Sequence, residues 1–399
     1  MTASSTSVMV SLLVCVPCLN LLPMIDFIKE LDHLRADDCL RTLPVADTSS
    51  MLNLSTNDYM GLADDTSLWP EFLSQYSPTT SSMSASSSRL LTGNHPEYVA
   101  LENDLASLYN RPALVFNCGY HANTGILPAL ADKDDFIIAD KLIHASLIDG
   151  IRLAAANGTS FARFNHNDTS HLRRILEKRH GSTGRTFVVV ESIYSMDGDQ
   201  APLQELVNMK HEFDFYLYVD EAHAVGARGK GGAGLMAELN LIHEADILIG
   251  TCGKALASCG AWVITSDTIR QWLINRCRTL IFTTGLPPIN VAWTRFVLHK
   301  LQSMDSQRSK LRTLAQWLTS ALSITPPVGG ASHIVPYICG SNANALALSH
   351  TLQDNGFYVL PIRHPTVPIG QARLRLSLKA NMSQQQLEPL VNIILNHKP

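Results

Sequence analysis

Lys254 stands in a run of small residues, Thr251-Cys252-Gly253-Lys254-Ala255, directly after an apolar stretch, Asp246-Ile247-Leu248-Ile249-Gly250, that reads as a buried strand. Upstream, Asp220 and His223 close a second apolar run, Phe215-Tyr216-Leu217-Tyr218-Val219. Strand ends are where open α/β sheets hold their ligands. An amine, a carboxylate and an imidazole gathered there suit a ligand that carries an aldehyde on an aromatic ring. The amine condenses with the aldehyde, the carboxylate keeps a ring nitrogen protonated, and the imidazole steadies a phenolic oxygen. Those are the demands of pyridoxal 5′-phosphate.

Each residue also has a plainer reading. A lone lysine is ordinarily a solvated charge. Lys254 lies between two apolar strands with no acidic neighbour in sequence, and a desolvated amine sheds its proton more readily, as a nucleophile must. A nucleotide-binding P-loop fails at Gly253-Lys254, because Leu248 occupies the first glycine position and Ala255 replaces the required serine or threonine. Asp220 reads either as a cap for the next segment or as the partner of a cationic ring, since an aspartate ending an apolar strand needs a partner. His223 alone is more often structural, and its spacing from Asp220 raises the odds of a role in the site. Gly229-Lys230-Gly231-Gly232-Ala233-Gly234 matches G-x-G-x-x-G, but it begins well after its strand has ended. It is expected to be a flexible glycine loop, with dinucleotide binding the weaker reading.

His144, in Asp140-Lys141-Leu142-Ile143-His144-Ala145-Ser146 after the strand Asp135–Ala139, supplies a flat ring that can stack on a cofactor and move protons. Its plainer reading is a helix-surface histidine. His95, His121, His166 and His171 show no metal-ligand spacing and are expected to be structural or peripheral, with His166 nearest the site. Asn117-Cys118-Gly119-Tyr120 follows a strand and opens a helix, so its backbone N–H groups can cradle a phosphate.

The elements that would position these groups alternate along the chain. Strand-length apolar runs occur at Ala113–Phe116, Asp135–Ala139, Phe187–Val190, Phe215–Val219, Ile247–Ile249 and Gly260–Thr265, with helical patterns between most of them. This predicts an α/β fold whose mainly parallel sheet is covered by helices. Before it come an amphipathic helix opening at Met24, a short strand at Met51–Leu54 and a serine-rich loop from Ser77 to Ser88. That loop leads into a helix at Tyr98–Leu105, so an ordered active-site loop and a linker are both open readings. After a long helical region beyond Pro288, the chain ends in a helix near Asn344–Gln353, strands at Tyr358–Leu360 and Ala372–Leu378, and a helix from Gln384. The expected divisions are an atypical leader (1–23), an N-terminal helix and strand (24–75), a large cofactor-binding domain (76–290) and a small α+β domain (291–399).

Bulk properties narrow the classes. In 399 residues, 46% hydrophobic and 17% charged, there is material for one large domain plus a smaller one. A net charge of −4 without any basic run gives nucleic-acid binding no electrostatic support. Cys39, Cys118, Cys252, Cys259, Cys277 and Cys339 lie singly, which suits reduced thiols in a cytoplasmic protein. Cys15-Val16-Pro17-Cys18 has no second pair for zinc and reads as chance. Val8–Met24 is apolar but lacks the positive charge of a secretory signal, and Pro17, Asn20 and Pro23 suit a spanning helix poorly. The expectation is that Met24 is the natural start; a weakly membrane-associating leader is the rival.

Taken together, these residues resemble the α-oxoamine synthases, a family of fold-type I pyridoxal-phosphate enzymes. The likeness runs from about Met24 to the C-terminus. It rests on Ser55-Thr56-Asn57-Asp58-Tyr59-Met60-Gly61-Leu62, Asp140 to Ser146, Ser195-Met196-Asp197-Gly198-Asp199, Asp220 to His223, and Thr251 to Lys254. Ile362-Arg363-His364-Pro365-Thr366-Val367-Pro368 and Ala372-Arg373-Leu374-Arg375 complete it and lean toward the biotin-pathway branch. The resemblance implies a seven-stranded, mainly parallel sheet plus a smaller C-terminal α+β domain. It makes Lys254 both the cofactor anchor and the base at Cα, and pairs Asp220 with the ring nitrogen. His223 and Ser195 fall by the phenolic oxygen, His144 stacks on the ring, and Cys118, Gly119, Tyr120 and Thr251 fall at the phosphate. Thr283 and Thr284 match positions that reach the phosphate of a neighbouring subunit, implying a homodimer with shared active sites. Arg375 matches the arginine for the amino-acid carboxylate, and Arg41, Asn57, Arg363 and Thr366 match substrate-side positions.

The implied reaction condenses L-alanine with a pimeloyl thioester, on coenzyme A or acyl carrier protein, with loss of carbon dioxide. A relative using other partners, such as glycine with acetyl-CoA, is the alternative. The chain departs from the family pattern in having Cys118 where serine or threonine is common, and in the Val8–Met24 leader.

Overall fold

The computed structural model describes residues 26–43, 50–76, 82–179, 181–327 and 329–397. The chain divides into two compact units, residues 1–45 and 46–399. In the first, α1 (Phe27–Ala36) is capped by Asp26, whose carboxylate accepts the Lys29 N–H at 3.1 Å. The apolar leader and the C-x-x-C pair lie outside the described residues. Among the described residues no helix is long and apolar enough to cross a membrane.

The second unit begins with β1 (Leu52–Asn53), α2 (Leu68–Gln75) and α3 (Pro96–Tyr109). Strands and helices then alternate: β2 (Ala113–Phe116), α4 (Gly119–Leu130), β3 (Phe136–Asp140), α5 (Ala145–Ala156), β4 (Ser160–Phe164), α6 (Thr169–Arg179), β5 (Thr186–Glu191), α7 (Leu203–Phe213), β6 (Tyr216–Asp220), α8 (Leu235–Glu238), β7 (Ile247–Thr251) and β8 (Ala261–Ile264). Four helices follow, α9 (Asp267–Arg276), α10 (Arg278–Ile281), α11 (Pro288–Gln302) and α12 (Asp305–Ala321). The chain then runs through β9 (Ile334–Gly340), α13 (Asn342–Asp354), β10 (Phe357–Tyr358), β11 (Pro361–Ile362), β12 (Ala372–Ser377) and α14 (Gln384–Asn396).

Among the described residues the main sheet has seven strands in the order β2-β8-β7-β6-β5-β3-β4. Only β8 runs antiparallel to the rest. Every residue of β2, β7 and β8 is buried, as expected of strands covered on both faces. The expected strands form with ends shifted by a residue or two, and Asp140 and Asp220 fall inside β3 and β6 instead of just beyond them. One sheet member, β4, is a strand the periodicity did not announce. It lies at the edge and exposes Ser160, Phe161 and Arg163, so no apolar run marks it. Helices α4 and α5 touch backbone to side: a Cβ on Gly150 would come within 2.4 Å of the Asn123 carbonyl, so only glycine permits this approach.

The C-terminal part adds the antiparallel sheet β11-β12-β9. A short parallel ladder pairs β1 with β10. Ser377 N–H donates to Leu54 O (2.9 Å) and Ala380 N–H to Tyr59 O (2.8 Å), which seats the loop 54–61 along β12. The glycine run 229–234, expected to be a flexible loop, forms a tight turn between β6 and α8. Its four glycines all have positive φ, and a Cβ on Gly234 would lie 2.0 Å from Glu221 Oε2.

Candidate active site

The carboxyl ends of β2, β3, β5, β6 and β7 deliver Cys118, His144, Ser195, Asp220 and Lys254 to one edge of the sheet. Lys254 is half-buried, and its Nζ lies 2.7 Å from His223 Nε2. His223 Nδ1 lies 2.6 Å from the hydroxyl of Tyr59. That hydroxyl accepts from Arg375 Nη2 (3.1 Å) and lies 3.0 Å from Asn57 Oδ1. Arg375 also donates through Nη1 to Asn57 Oδ1 (3.0 Å) and Ser377 Oγ (2.6 Å), and through Nε to the Ser195 carbonyl (2.5 Å). A continuous hydrogen-bonded line therefore joins the expected carboxylate-binding arginine to the expected nucleophile. It gathers Asn57, Ser195, His223, Lys254 and Arg375 as the motifs anticipated. Tyr59 sits inside a recognised motif, but its part in this line was not read from sequence. The partner it links, His223, is 164 positions away, and only the fold joins them.

Asp220 is buried and receives two donors, Asn123 Nδ2 (2.7 Å) and the Ala222 N–H (2.9 Å). The Asn123 amide also donates to Ser146 Oγ (3.0 Å) and accepts from the Tyr218 hydroxyl (2.7 Å). Ser146 Oγ lies 2.8 Å from His144 Nδ1. His144 caps α5, and its backbone N–H donates to the buried carboxyl of Glu191.

At the other end of the site, Cys118 caps α4, its sulfur accepting the His121 N–H at 3.4 Å. Gly119 and Tyr120 open that helix, whose N-terminal N–H groups form an anion site. A Cβ on Gly119 would lie 3.7 Å from Thr251 Oγ1, so Thr251 and the helix start are neighbours. Asn117 Nδ2 donates to the Thr284 carbonyl (2.6 Å) and lies 3.3 Å from Thr283 Oγ1. The two threonines thus stand beside this end of the site within their own chain.

Three expected residues are not placed against Lys254 by any contact described. Arg363 and Thr366 occupy the turn between β11 and β12, where the Thr366 N–H donates to the Arg363 carbonyl at 2.9 Å. Arg41 belongs to the first unit.

The electrostatics favour a nucleophilic amine. Burial pushes the Lys254 ammonium down to about 8, with Asp220 and Glu191 pulling the other way and Arg375 adding to the fall. Burial, then the charges of Lys254 and Arg375, hold His223 well below the usual imidazole range. Burial and the neighbouring Asp220 raise Glu191 well above the carboxylate range. Burial also lowers His144. A neutral imidazole beside a lysine that ionises near 8 adds no positive charge next to the amine.

This donor set fits pyridoxal phosphate. Lys254 would meet the aldehyde, Asp220 the ring nitrogen and His223 the phenolic oxygen. The N-terminus of α4 with Thr251 would take the phosphate.

Residues 49–394 match the aminotransferase class I and II family. A relative from Haemophilus influenzae (strain 86-028NP), provisionally named 8-amino-7-oxononanoate synthase, is 47% identical over 377 residues, covering 92% of this chain and 98% of its own. One from Pasteurella multocida (strain Pm70) with the same provisional name is 46% identical, covering 91% and 96%. The chain belongs to the α-oxoamine synthase family, within aminotransferase class I and II. Among solved α-oxoamine synthases, serine palmitoyltransferase of Sphingomonas wittichii superposes with a TM-score of 0.83 at 31% identity, covering 94% of this chain and 97% of its own. The 8-amino-7-oxononanoate synthase of Francisella tularensis gives 0.72 at 28%, covering 87% and 97%. A serine palmitoyltransferase from S. paucimobilis with pyridoxal phosphate and myriocin bound gives 0.81 at 28%, covering 92% and 95%. This α-oxoamine synthase is a pyridoxal-phosphate-dependent enzyme of fold type I.

Proposed function

We propose that the enzyme condenses L-alanine with a pimeloyl thioester, releasing carbon dioxide and the thiol carrier, to make 8-amino-7-oxononanoate for biotin synthesis. The line Arg375–Tyr59–His223–Lys254 carries this reading, because it ties a carboxylate receptor to a proton acceptor through two side chains. The relatives' shared name supports the choice of substrates.

Bound pyridoxal phosphate supplies an electron sink for a carbanion at the amino-acid Cα. Arg375, with Asn57 beside it, binds the alanine carboxylate through its planar fork. Lys254 Nζ would hold the cofactor and, as a free amine, would take the Cα proton of alanine. His223 steadies the phenolic oxygen from a neutral ring. His144 would stack on the cofactor ring. Thr283 and Thr284 complete the phosphate site of the neighbouring subunit, so the working unit is a homodimer. Arg363 and Thr366, in the turn between β11 and β12, would serve the substrate side of the site. The single cysteines are consistent with a reducing, cytoplasmic setting.

The purified protein should be offered L-alanine, glycine and L-serine, each with pimeloyl-CoA, pimeloyl-acyl carrier protein, acetyl-CoA and palmitoyl-CoA. Thiol release and product mass are the readouts. Alanine with a pimeloyl donor should exceed every other pair by at least about 100-fold in kcat/KM. Preference for glycine with acetyl-CoA, or for serine with palmitoyl-CoA as the structural likeness to serine palmitoyltransferase allows, would overturn the assignment. Lys254→Ala should lose turnover by at least about 10⁴-fold while melting near the wild-type temperature.

A further inference from the structure

We propose that Asn123 is a positioning residue that aims both groups gripping the cofactor ring, Asp220 directly and His144 through Ser146. The inference rests on the reading of Asp220 and His144 given above. Asn123 is buried within α4, where an amide costs desolvation energy unless it is fully bonded. Its bonds fix its orientation. A carboxylate only accepts, so the Asn123 atom 2.7 Å from Asp220 Oδ2 is the amide nitrogen. The second hydrogen of that nitrogen goes to Ser146 Oγ at 3.0 Å. The amide oxygen then accepts from Tyr218, which ties the side chain to β6, the strand that carries Asp220.

The orientation propagates. Ser146 Oγ accepts from Asn123 and lies 2.8 Å from His144 Nδ1, to which its own hydrogen is free to point. The Ser146 backbone N–H points at the same nitrogen from 3.2 Å. Two donors meet Nδ1, so the neutral ring carries its proton on Nε2. On the other branch, Asn123 and the Ala222 N–H each occupy one oxygen of Asp220, which fixes the plane of the carboxylate. One buried amide thereby sets the direction of the carboxylate facing the ring nitrogen and the tautomer of the imidazole stacked on the ring. The Gly150 contact seats α5, with His144 at its start, against the Asn123 backbone.

The test uses full-length apo-protein. Histidine labelled with ¹⁵N gives the His144 ring shifts, assigned by their loss in His144→Gln. Pyridoxal phosphate affinity is measured by equilibrium dialysis, and melting temperature reports folding. Wild-type His144 should show the Nε2–H form. Asn123→Leu, close in volume but unable to hydrogen-bond, should give a mixture of tautomers and weaken cofactor affinity by about tenfold or more. Should Asn123→Leu not fold, Ser146→Ala removes the same link to His144, and the mixture is expected there. A wild-type Nδ1–H form, or a folded variant that keeps either the pure tautomer or an affinity within about twofold of wild type, would overturn the proposal. A wild-type protein that fails to bind pyridoxal phosphate would instead sink the reading of the site, because the tautomer is read without cofactor.

Discussion

Lys254 has to be an amine when it meets the cofactor aldehyde and again when it takes a proton from Cα, yet an ordinary lysine at neutral pH is almost wholly charged. Burial resolves this by pushing the group down to about 8, and Asp220 and Glu191 keep it from falling further. The charged form is disfavoured in the folded protein, so the neutral fraction grows as pH rises through about 8 instead of through the ordinary 10.5. The rate at which apo-protein takes up pyridoxal phosphate, followed by absorbance, should therefore climb with pH and level off above about 8 to 9. A rate still climbing steeply at pH 10 would mean that the lysine is not desolvated as described. His223 adds no competing positive charge, since it is held neutral by its burial and by Lys254 itself.

At the scale of elements, the loop that follows β5 and carries Ser195 needs an anchor, and His166 provides one. Its Nδ1 lies 2.9 Å from Asp140 at the end of β3, and its Nε2 lies 2.6 Å from Asp199 at the far end of that loop. Burial opposes a charge on the ring, but the hydrogen bonds and charges of the two aspartates outweigh it and push the imidazole up to about 10. The folded value lies above the ordinary 6.5, so the stabilisation is complete below about 6.5 and is lost as pH rises through about 10. His166→Gln should lower unfolding free energy at pH 6 by about 2–3 kcal/mol, less than for a fully buried pair because the ring is partly exposed. The difference from wild type in urea denaturation should shrink at pH 10; an undiminished difference there would rule out the charge as its source. The sequence announced this histidine only as something near the site. It announced the strands better, because fully buried strands such as β2 and β8 are apolar throughout, whereas β4 exposes Ser160, Phe161 and Arg163. Lys254, Asp220 and His223 were legible because the chemistry constrains both their type and their place near strand ends, whereas Arg375, inside β12, was marked only by the family resemblance. Asn123 and Tyr59 were not, since a polar residue inside a helix or loop declares itself only through partners such as Asp220 and His223, brought near by the fold.

In the whole molecule, the loop 54–61 bridges Lys254, after the seven-stranded sheet, to Arg375 in the three-stranded sheet, so neither sheet alone holds a complete site. The phosphate end raises the question of which chain finishes it. Phe282 and Leu91 are 70% and 78% exposed, and Tyr120, at the mouth of the phosphate cradle, is 48% exposed, which is apolar surface for a second copy to cover. Thr283 follows Phe282 directly, yet within its own chain it also approaches Asn117, so proximity alone does not decide whose phosphate it serves. Hybrids of two differently impaired subunits decide it. Lys254→Ala removes the nucleophile, and Thr283→Ala with Thr284→Ala should weaken cofactor affinity by about tenfold through lost hydrogen bonds to a dianion. In a hybrid dimer carrying one subunit of each kind, sharing across the interface leaves one site with both Lys254 and both threonines intact. The other site then holds every lesion. Differently tagged subunits, co-expressed and purified through both tags, should recover about half the wild-type activity at a pyridoxal phosphate level too low to saturate the threonine variant. If each chain uses its own threonines, no site in the hybrid is intact. Activity then stays at or below half that of the threonine variant alone, and the shared-site dimer is wrong.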